Sequence, residues 1–215
     1  MTLPPRDVDG FSGTLAQPPL GLPDVAVLID GPPVARTDRP GQDGLAEALQ
    51  HTLDACMQLG ITGNAALVVI RHPRTPLEAL AARHPARPAL IRPEGHAPPT
   101  DALPRPLTLL IQPGTTPDAT TLGRAVAALD DDLQRAAVTG SVHRTDGAIE
   151  THVIPTALHG GATLIRTEAL RDAGGFSRLL PPGGAAALDL TCRLLRNGKC
   201  IQRIADFAFD RPAWP

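Results

Sequence analysis

The pattern of apolar runs predicts an α/β fold, a three-layer sandwich with a mostly parallel central sheet between helices. Three observations carry this expectation. Short uninterrupted apolar runs (Val25–Ile29, Ala66–Ile70, Leu107–Ile111) each stop at a polar or proline-bearing loop, the signature of strands buried on both faces. Stretches with helical spacing lie between these runs. The strand-helix alternation requires crossover connections, which favour parallel neighbours.

The elements follow in order. Residues 1–23 are polar and proline-broken and are expected to be a flexible arm, with one domain over 24–215. The first strand, Val25–Ile29, ends in Asp30-Gly31-Pro32-Pro33. A helix is expected from Leu45 to Leu59, its apolar face built by Leu45, Ala48, Leu49, Leu53, Cys56 and Met57, with Gly60 as its stop. The second strand, Ala66–Ile70, runs into Arg71-His72-Pro73. Pro76 to Ala82 reads as a short helix with proline at its permissive start. Ala89–Ile91 and Leu107–Ile111 are further strands, the latter followed by Gln112-Pro113-Gly114-Thr115. Ala119 to Leu133 is expected to be helical, with Leu122, Ala125, Val126, Leu129 and Leu133 on one face. Ala136–Gly140 closes this half as a strand.

Beyond Gly140 the rhythm changes. Ala162–Arg166 is strand-like, Thr167–Ala173 is a short helix, and Gly174-Gly175-Phe176 is a turn that plants an aromatic ring. A glycine-rich loop leads into a helix over Ala185–Arg196, with Leu188, Cys192 and Leu195 as its expected core stripe, and Cys200–Ile204 is the last strand. In parallel sheets ligands bind beyond the carboxyl ends of the strands. The loops at Asp30–Pro33, Arg71–Thr75 and Gln112–Thr115 are therefore expected to share one rim.

Composition excludes several classes. Lys and Arg (20) nearly balance Asp and Glu (22), with no basic block, so the electrostatic footprint of a nucleic-acid binder is missing. Four Phe, one Trp and no Tyr give no stacking ladder. No apolar run approaches the roughly 20 residues that span a bilayer. The opening Met1–Asp7 lacks the basic and apolar regions of a signal peptide, and a cytoplasmic location is expected. The three cysteines (Cys56, Cys192, Cys200) show no CxxC spacing and read as reduced thiols. Lys199 is the only lysine among 20 basic residues, a bias that fits a GC-rich bacterial genome. Neither a GxGxxG after the first strand nor a GxxxxGK[ST] is present, so a dinucleotide fold and a P-loop are unsupported.

Three stretches carry a family resemblance. They are Leu109-Leu110-Ile111-Gln112-Pro113-Gly114-Thr115-Thr116-Pro117-Asp118 with the helix after it, Gly160-Gly161-Ala162-Thr163-Leu164-Ile165-Arg166-Thr167-Glu168-Ala169-Leu170 with Gly174-Gly175-Phe176, and Gly184–Arg196 containing Leu188-Asp189-Leu190 and Arg193-Leu194. In this order they resemble the GT-A nucleotide-sugar glycosyltransferases, in particular the inverting family 2, over about residues 24–210. The resemblance implies a GT-A, Rossmann-like fold and a nucleoside-diphosphate sugar as donor. It also implies a divalent metal (manganese or magnesium) held by a DxD turn, which neutralises the donor's diphosphate, and an acidic general base on the last helix.

The chemical positions depart from the pattern. The DxD carboxylates align with Gln112 and Gly114, and the acidic pair with Ala186 and Ala187. The loop after the second strand, acidic in the family, reads Arg71-His72-Pro73-Arg74, and no QxxRW motif occurs near the C-terminus. The expectation is a transferase scaffold without metal-dependent catalysis, a pseudoenzyme that binds a nucleotide sugar weakly or assembles with a protein partner or a second copy. The alternative is an active, metal-independent inverting transferase.

Within the resemblance, Asp30 and Gly31 would meet a uracil or ribose edge; Asp30 could equally cap its own loop. Arg71, His72 and Arg74 would meet the diphosphate directly, or form a solvated loop. Gly160 and Gly161 lie on the acceptor side. His159 before them is a candidate base, or a structural histidine. Asp189 is the other candidate base, or the partner of Arg193 in an i,i+4 ion pair. Asp130-Asp131-Asp132 reads as a solvated helix end and not a metal site. A nucleotidyltransferase of related topology would need a glycine-rich, lysine-bearing loop after the first strand, which this chain lacks.

Overall fold

The computed structural model describes residues 21–30, 42–70, 76–93, 95, 97–144, 147, 149–150, 158, 162–180 and 184–211. In chain order the strands are β1 (Val25–Ile29), β2 (Ala66–Val69), β3 (Ala89–Ile91), β4 (Leu107–Ile111), β5 (Arg135–Arg144), β6 (Ile149–Glu150), β7 (Thr163–Arg166) and β8 (Cys200–Arg211). The helices are α1 (Gln42–Gln58), α2 (Pro76–Arg83), α3 (Ala119–Asp130), α4 (Thr167–Asp172) and α5 (Gly184–Arg196). At the end of the expected arm, Leu22–Asp24 form a single 3-10 turn that lays Leu22 against the core.

All eight strands belong to one sheet, ordered β3-β2-β1-β4-β7-β5-β6, with β8 paired to β5. The pairs β1–β2, β1–β4, β2–β3 and β5–β8 are parallel, whereas β7 runs antiparallel between β4 and β5. Strand alternation divides the core between two faces. Val25, Val27 and Ile29 join Leu49 and Leu53 of α1 and Leu122 and Leu129 of α3 on one face. Ala26 and Leu28 join Leu170 of α4 and Leu190 and Leu194 of α5 on the other. Burying each such branched side chain contributes about 1.5–3 kcal/mol. This is the expected three-layer arrangement.

Four expectations need correction. The helix expected to reach Leu133 stops at Asp130. The Asp132 carboxylate accepts the Gln134 N–H at 2.9 Å, turning the chain locally, and Leu133 is exposed. Met57 is exposed on α1 rather than part of its apolar face. On α5 the expected stripe Leu188, Cys192 and Leu195 faces outward, and Leu190, Thr191 and Leu194 are buried instead. Both stripes have helical spacing. The bond from the Leu158 N–H to Thr191 Oγ1 at 3.0 Å helps fix which one meets the sheet.

The fourth correction concerns the strands. Gly140 does not end β5, which continues to Arg144, and β8 continues past Ile204 to Arg211. Thr139 pairs with Arg203 but Ser141 with Ala208, so β8 makes an excursion that β5 does not match. At this point the strands nearly touch: a Cβ on Gly140 would sit 1.6 Å from the Phe207 carbonyl oxygen. After the excursion Phe207, Phe209 and Arg211 point inward at alternate positions, the two rings meeting edge to face at 5.1 Å between centroids.

Gly140→Ala is expected to cost about 3 kcal/mol in urea unfolding, because backbone rather than a pliable side chain opposes the new methyl. A cost below about 1 kcal/mol would contradict this close approach. A second prediction concerns Asp118, the N-cap of α3, which accepts the Thr121 N–H at 2.9 Å. Burial pushes its carboxyl up, but hydrogen bonds from Thr121 and Thr120 and the charge of Arg124 outweigh that and hold it below the ordinary range. A depressed carboxyl stabilises above its unfolded pKa of about 3.9 and loses that contribution as pH falls through the folded value. Asp118→Ala is therefore expected to cost about 1 kcal/mol at neutral pH. That cost fades as acid protonates the folded-state carboxyl, below the ordinary carboxylate range, which urea titrations at falling pH would follow.

Candidate functional site

The rim at the carboxyl ends of the parallel strands is set by register. Ile29 of β1 lies opposite both Val68 of β2 and Ile111 of β4. The Asp30 N–H donates to the Ile111 carbonyl at 3.0 Å. Asp30 and Gln112 thus leave the sheet side by side, as expected for one rim. Gly31, Arg71, His72, Arg74, His159, Gly160 and Gly161 lie outside the described residues.

The turn after β4 is held from two sides. The Thr115 N–H closes it onto the Gln112 carbonyl at 3.1 Å. From α1, the Ala48 carbonyl and Thr52 Oγ1 accept the Gly114 N–H at 2.9 and 2.8 Å, and the Thr52 hydroxyl donates to the Thr115 carbonyl at 2.9 Å. From β8, the Asp210 carbonyl accepts the Thr116 N–H at 3.0 Å and the Thr116 hydroxyl at 3.1 Å. Gly114 has φ +89°, in the left-handed region, where a side chain would be strained.

Arg211 completes this turn and was not among the sequence candidates. It is only 3% exposed. Its guanidinium Nη1 donates to Gln112 Oε1. Its stem fills the space beside Gly114, where a Cβ would lie 3.2 Å from Arg211 Cγ. The signal for it was the alternation Phe207, Phe209, Arg211, which places all three on the buried side of one strand.

The residues present do not fit the divalent ion that the resemblance implies. Gln112 offers a neutral oxygen already engaged by a guanidinium. A carboxylate at position 114 would need a strained backbone and the volume that Arg211 fills. Among the described residues no group of three or more His, Cys, Asp or Glu side chains is placed to hold a metal.

On the other side of the sheet, Asp189 is an anchor. Its Oδ2 accepts from Arg193 Nε at 3.0 Å and Nη2 at 2.8 Å. Arg193 Nη1 in turn donates to the carbonyls of Ala173 and of Gly175, the latter at 2.7 Å. The i,i+4 pair therefore staples the Gly174-Gly175-Phe176 turn to α5. Gly175 is required there, with φ +71° and a Cβ position 2.8 Å from Thr100 Cγ2. Ala186 and Ala187 are half-buried in the first turn of α5 and offer no proton acceptor on their side chains. A cleft of about 130 Å³ separates this turn from residues 97–101, with Thr100, Asp101, Phe176 and Arg178 on its walls. The thiol of Cys56 is buried and pushed up to about 12, desolvation outweighing a backbone hydrogen bond. Cys192 and Cys200 are exposed and free.

With this geometry the fold is the GT-A type found in glycosyltransferases. It is similar to GalNAc-T7, solved with UDP, GalNAc and Mn2+, at TM-score 0.58 and 10% identity over 88% of this chain and 44% of that one. It is similar also to the mannosyltransferase PcManGT from Pyrobaculum calidifontis, solved with GDP-Man and Mn2+, at TM-score 0.56 and 15% identity over 87% and 56%. The chain thus spans about half the length of these structures. No protein-family model and no curated protein sequence matches it.

Asp189→Asn is expected to cost about 1 kcal/mol in urea unfolding through loss of a partly exposed ion pair and to leave nucleotide affinity unchanged. Lower affinity at unchanged stability would instead return Asp189 to the binding site.

Proposed function

We propose that residues 24–215 form one GT-A-like domain that binds a nucleoside diphosphate or its sugar ester without a metal ion, and that it lacks metal-dependent sugar transfer. The observation that carries this reading is the Gln112–Arg211 pair where the family would place carboxylates and a metal. The scaffold around that pair is complete: strand register, the capped α3 and the stapled Gly174-Gly175-Phe176 turn are all present. The chemistry is what has thinned, with alanines at both positions of the acidic pair. Such a domain serves as a weak nucleotide-sugar binder or as the assembly partner of an active chain or a second copy.

The alternative, metal-independent inverting transfer to a hydroxyl, needs a base. Asp189 is committed to Arg193, which leaves His159 to supply it. Nothing in the described geometry favours this reading over binding alone.

A thermal-shift titration with UDP, GDP, dTDP and their sugars, with manganese or with EDTA, tests the proposal. Ligand at about one hundred times its Kd is expected to add about 2.7 kcal/mol of stability, equally in both buffers. A shift seen only with manganese would contradict the metal-free reading. Absence of any shift would remove the nucleotide and leave a scaffold role.

A further inference from the structure

We infer that the cleft between residues 97–101 and the Gly174-Gly175-Phe176 turn is a binding site for one neutral, hydroxyl-rich ring, a pyranose, separate from the rim beyond β4. The rim follows the carboxyl end of β4, whereas residues 97–101 precede its amino end. Helix α4, which leads into the Gly174 turn, starts at that same amino end, its Thr167 N–H donating to the Pro106 carbonyl at 2.8 Å. Nucleotide binding at the rim is not required for this second site.

Both walls are fixed before any ligand arrives. On one, the Leu103 N–H donates to the Thr100 carbonyl at 3.1 Å, and Arg171 Nη2 donates to the Leu103 carbonyl at 2.8 Å. Pro98 and Pro99 stiffen the same stretch. On the other, Arg193 holds the Gly175 carbonyl, and a Cβ on Gly175 would lie only 2.8 Å from Thr100 Cγ2. A preformed site of this kind costs little in ordering when it is filled.

Three side chains on these walls complement a sugar. Of the three aromatic rings among the described residues, Phe207 and Phe209 are buried and only Phe176 reaches a surface. Part of Phe176 packs on the core cluster that includes Leu170 and Leu190, and it also borders the cleft. The negative face of an aromatic ring attracts the slightly positive C–H face of a pyranose. Nearby, the Thr100 hydroxyl and the Asp101 carboxylate make no hydrogen bond among the described residues. A hydroxyl both donates and accepts, and a carboxylate accepts at two oxygens, which suits adjacent hydroxyls on one ring. Arg178, also on the walls, already has a partner, so the polar contacts fall to Thr100 and Asp101. The cleft volume of about 130 Å³ is close to the roughly 150 Å³ that takes a benzene-sized ring. One ring fits, and its substituents stay outside.

Ligand-observed NMR on the full chain tests this, with methyl glycosides of glucose, galactose, mannose and N-acetylglucosamine, each repeated with excess UDP, and with ethylammonium as a cationic control. At least one glycoside is expected to bind with a Kd in about the millimolar range, and UDP is expected not to displace it. Asp101→Ala, at an exposed position, should weaken that binding about tenfold, the scale of a hydrogen bond to a charged group. Phe176→Leu keeps apolar bulk against the core and should weaken it about fivefold. Where Phe176→Leu does not fold, Asp101→Ala carries the test alone. Unchanged affinity in Asp101→Ala or in folded Phe176→Leu overturns the inference. So do displacement by UDP, ethylammonium binding more tightly than every glycoside, and failure of all four glycosides to bind.

Discussion

The parallel docking of β8 along β5 is the constraint on which the rim depends. Its first half continues the register from Cys200 to Arg203, and its second half resumes at Ala208 after the excursion past Gly140. Without that excursion, alternation would bring other residues to the positions now held by Phe207, Phe209 and Arg211. The close approach at Gly140 is what makes the offset possible, since no side chain separates the two backbones there. A backbone contact at the far side of the sheet thus sets which cation reaches the turn after β4.

The same turn shows how two elements distant in sequence can define one electrostatic site. Thr52 and Ala48 hold the Gly114 amide from one side and Asp210 holds Thr116 from the other, so the turn has little freedom to reshape around an incoming ion. In that fixed frame the chemistry follows from residue type. Gln112 contributes a neutral dipole, Gly114 contributes only backbone, and Arg211 contributes a charge that cannot be titrated away near neutrality. Likeness to GalNAc-T7 and PcManGT extends to the fold, whereas the described side chains of this turn supply no carboxylate to a metal.

Much of the architecture could be read from local pattern. The uninterrupted runs at Val25–Ile29 and Leu107–Ile111 became adjacent parallel strands because only a sheet covered on both faces hides every residue of such a run. Pro117-Asp118 before a periodic stretch became the cap of α3. The Asp189–Arg193 pair was readable from i,i+4 spacing, yet its grip on the Ala173 and Gly175 carbonyls was not, because those atoms arrive from another element. Of the candidate site, Asp30, Gln112 and Gly114 fall on the expected rim, and Arg211 joins them from a strand whose length the sequence reading cut short.

The residue pattern settled the layering and the shared rim of the Asp30 and Gln112 strand ends, since both depend on residue type or on a period of two or 3.6 within one segment. It left open which face of α5 is buried, because Leu188–Cys192–Leu195 and Leu190–Thr191–Leu194 can each lie on one face of a helix. Contact with the sheet and with Leu158 chose between them. Arg211 was left open for the same reason: its burial comes from pairing with a strand far earlier in the chain, where Arg144 is its partner position. Local periodicity says which side of an element turns inward only when one side is plainly polar. Where both can, the packing of distant segments decides.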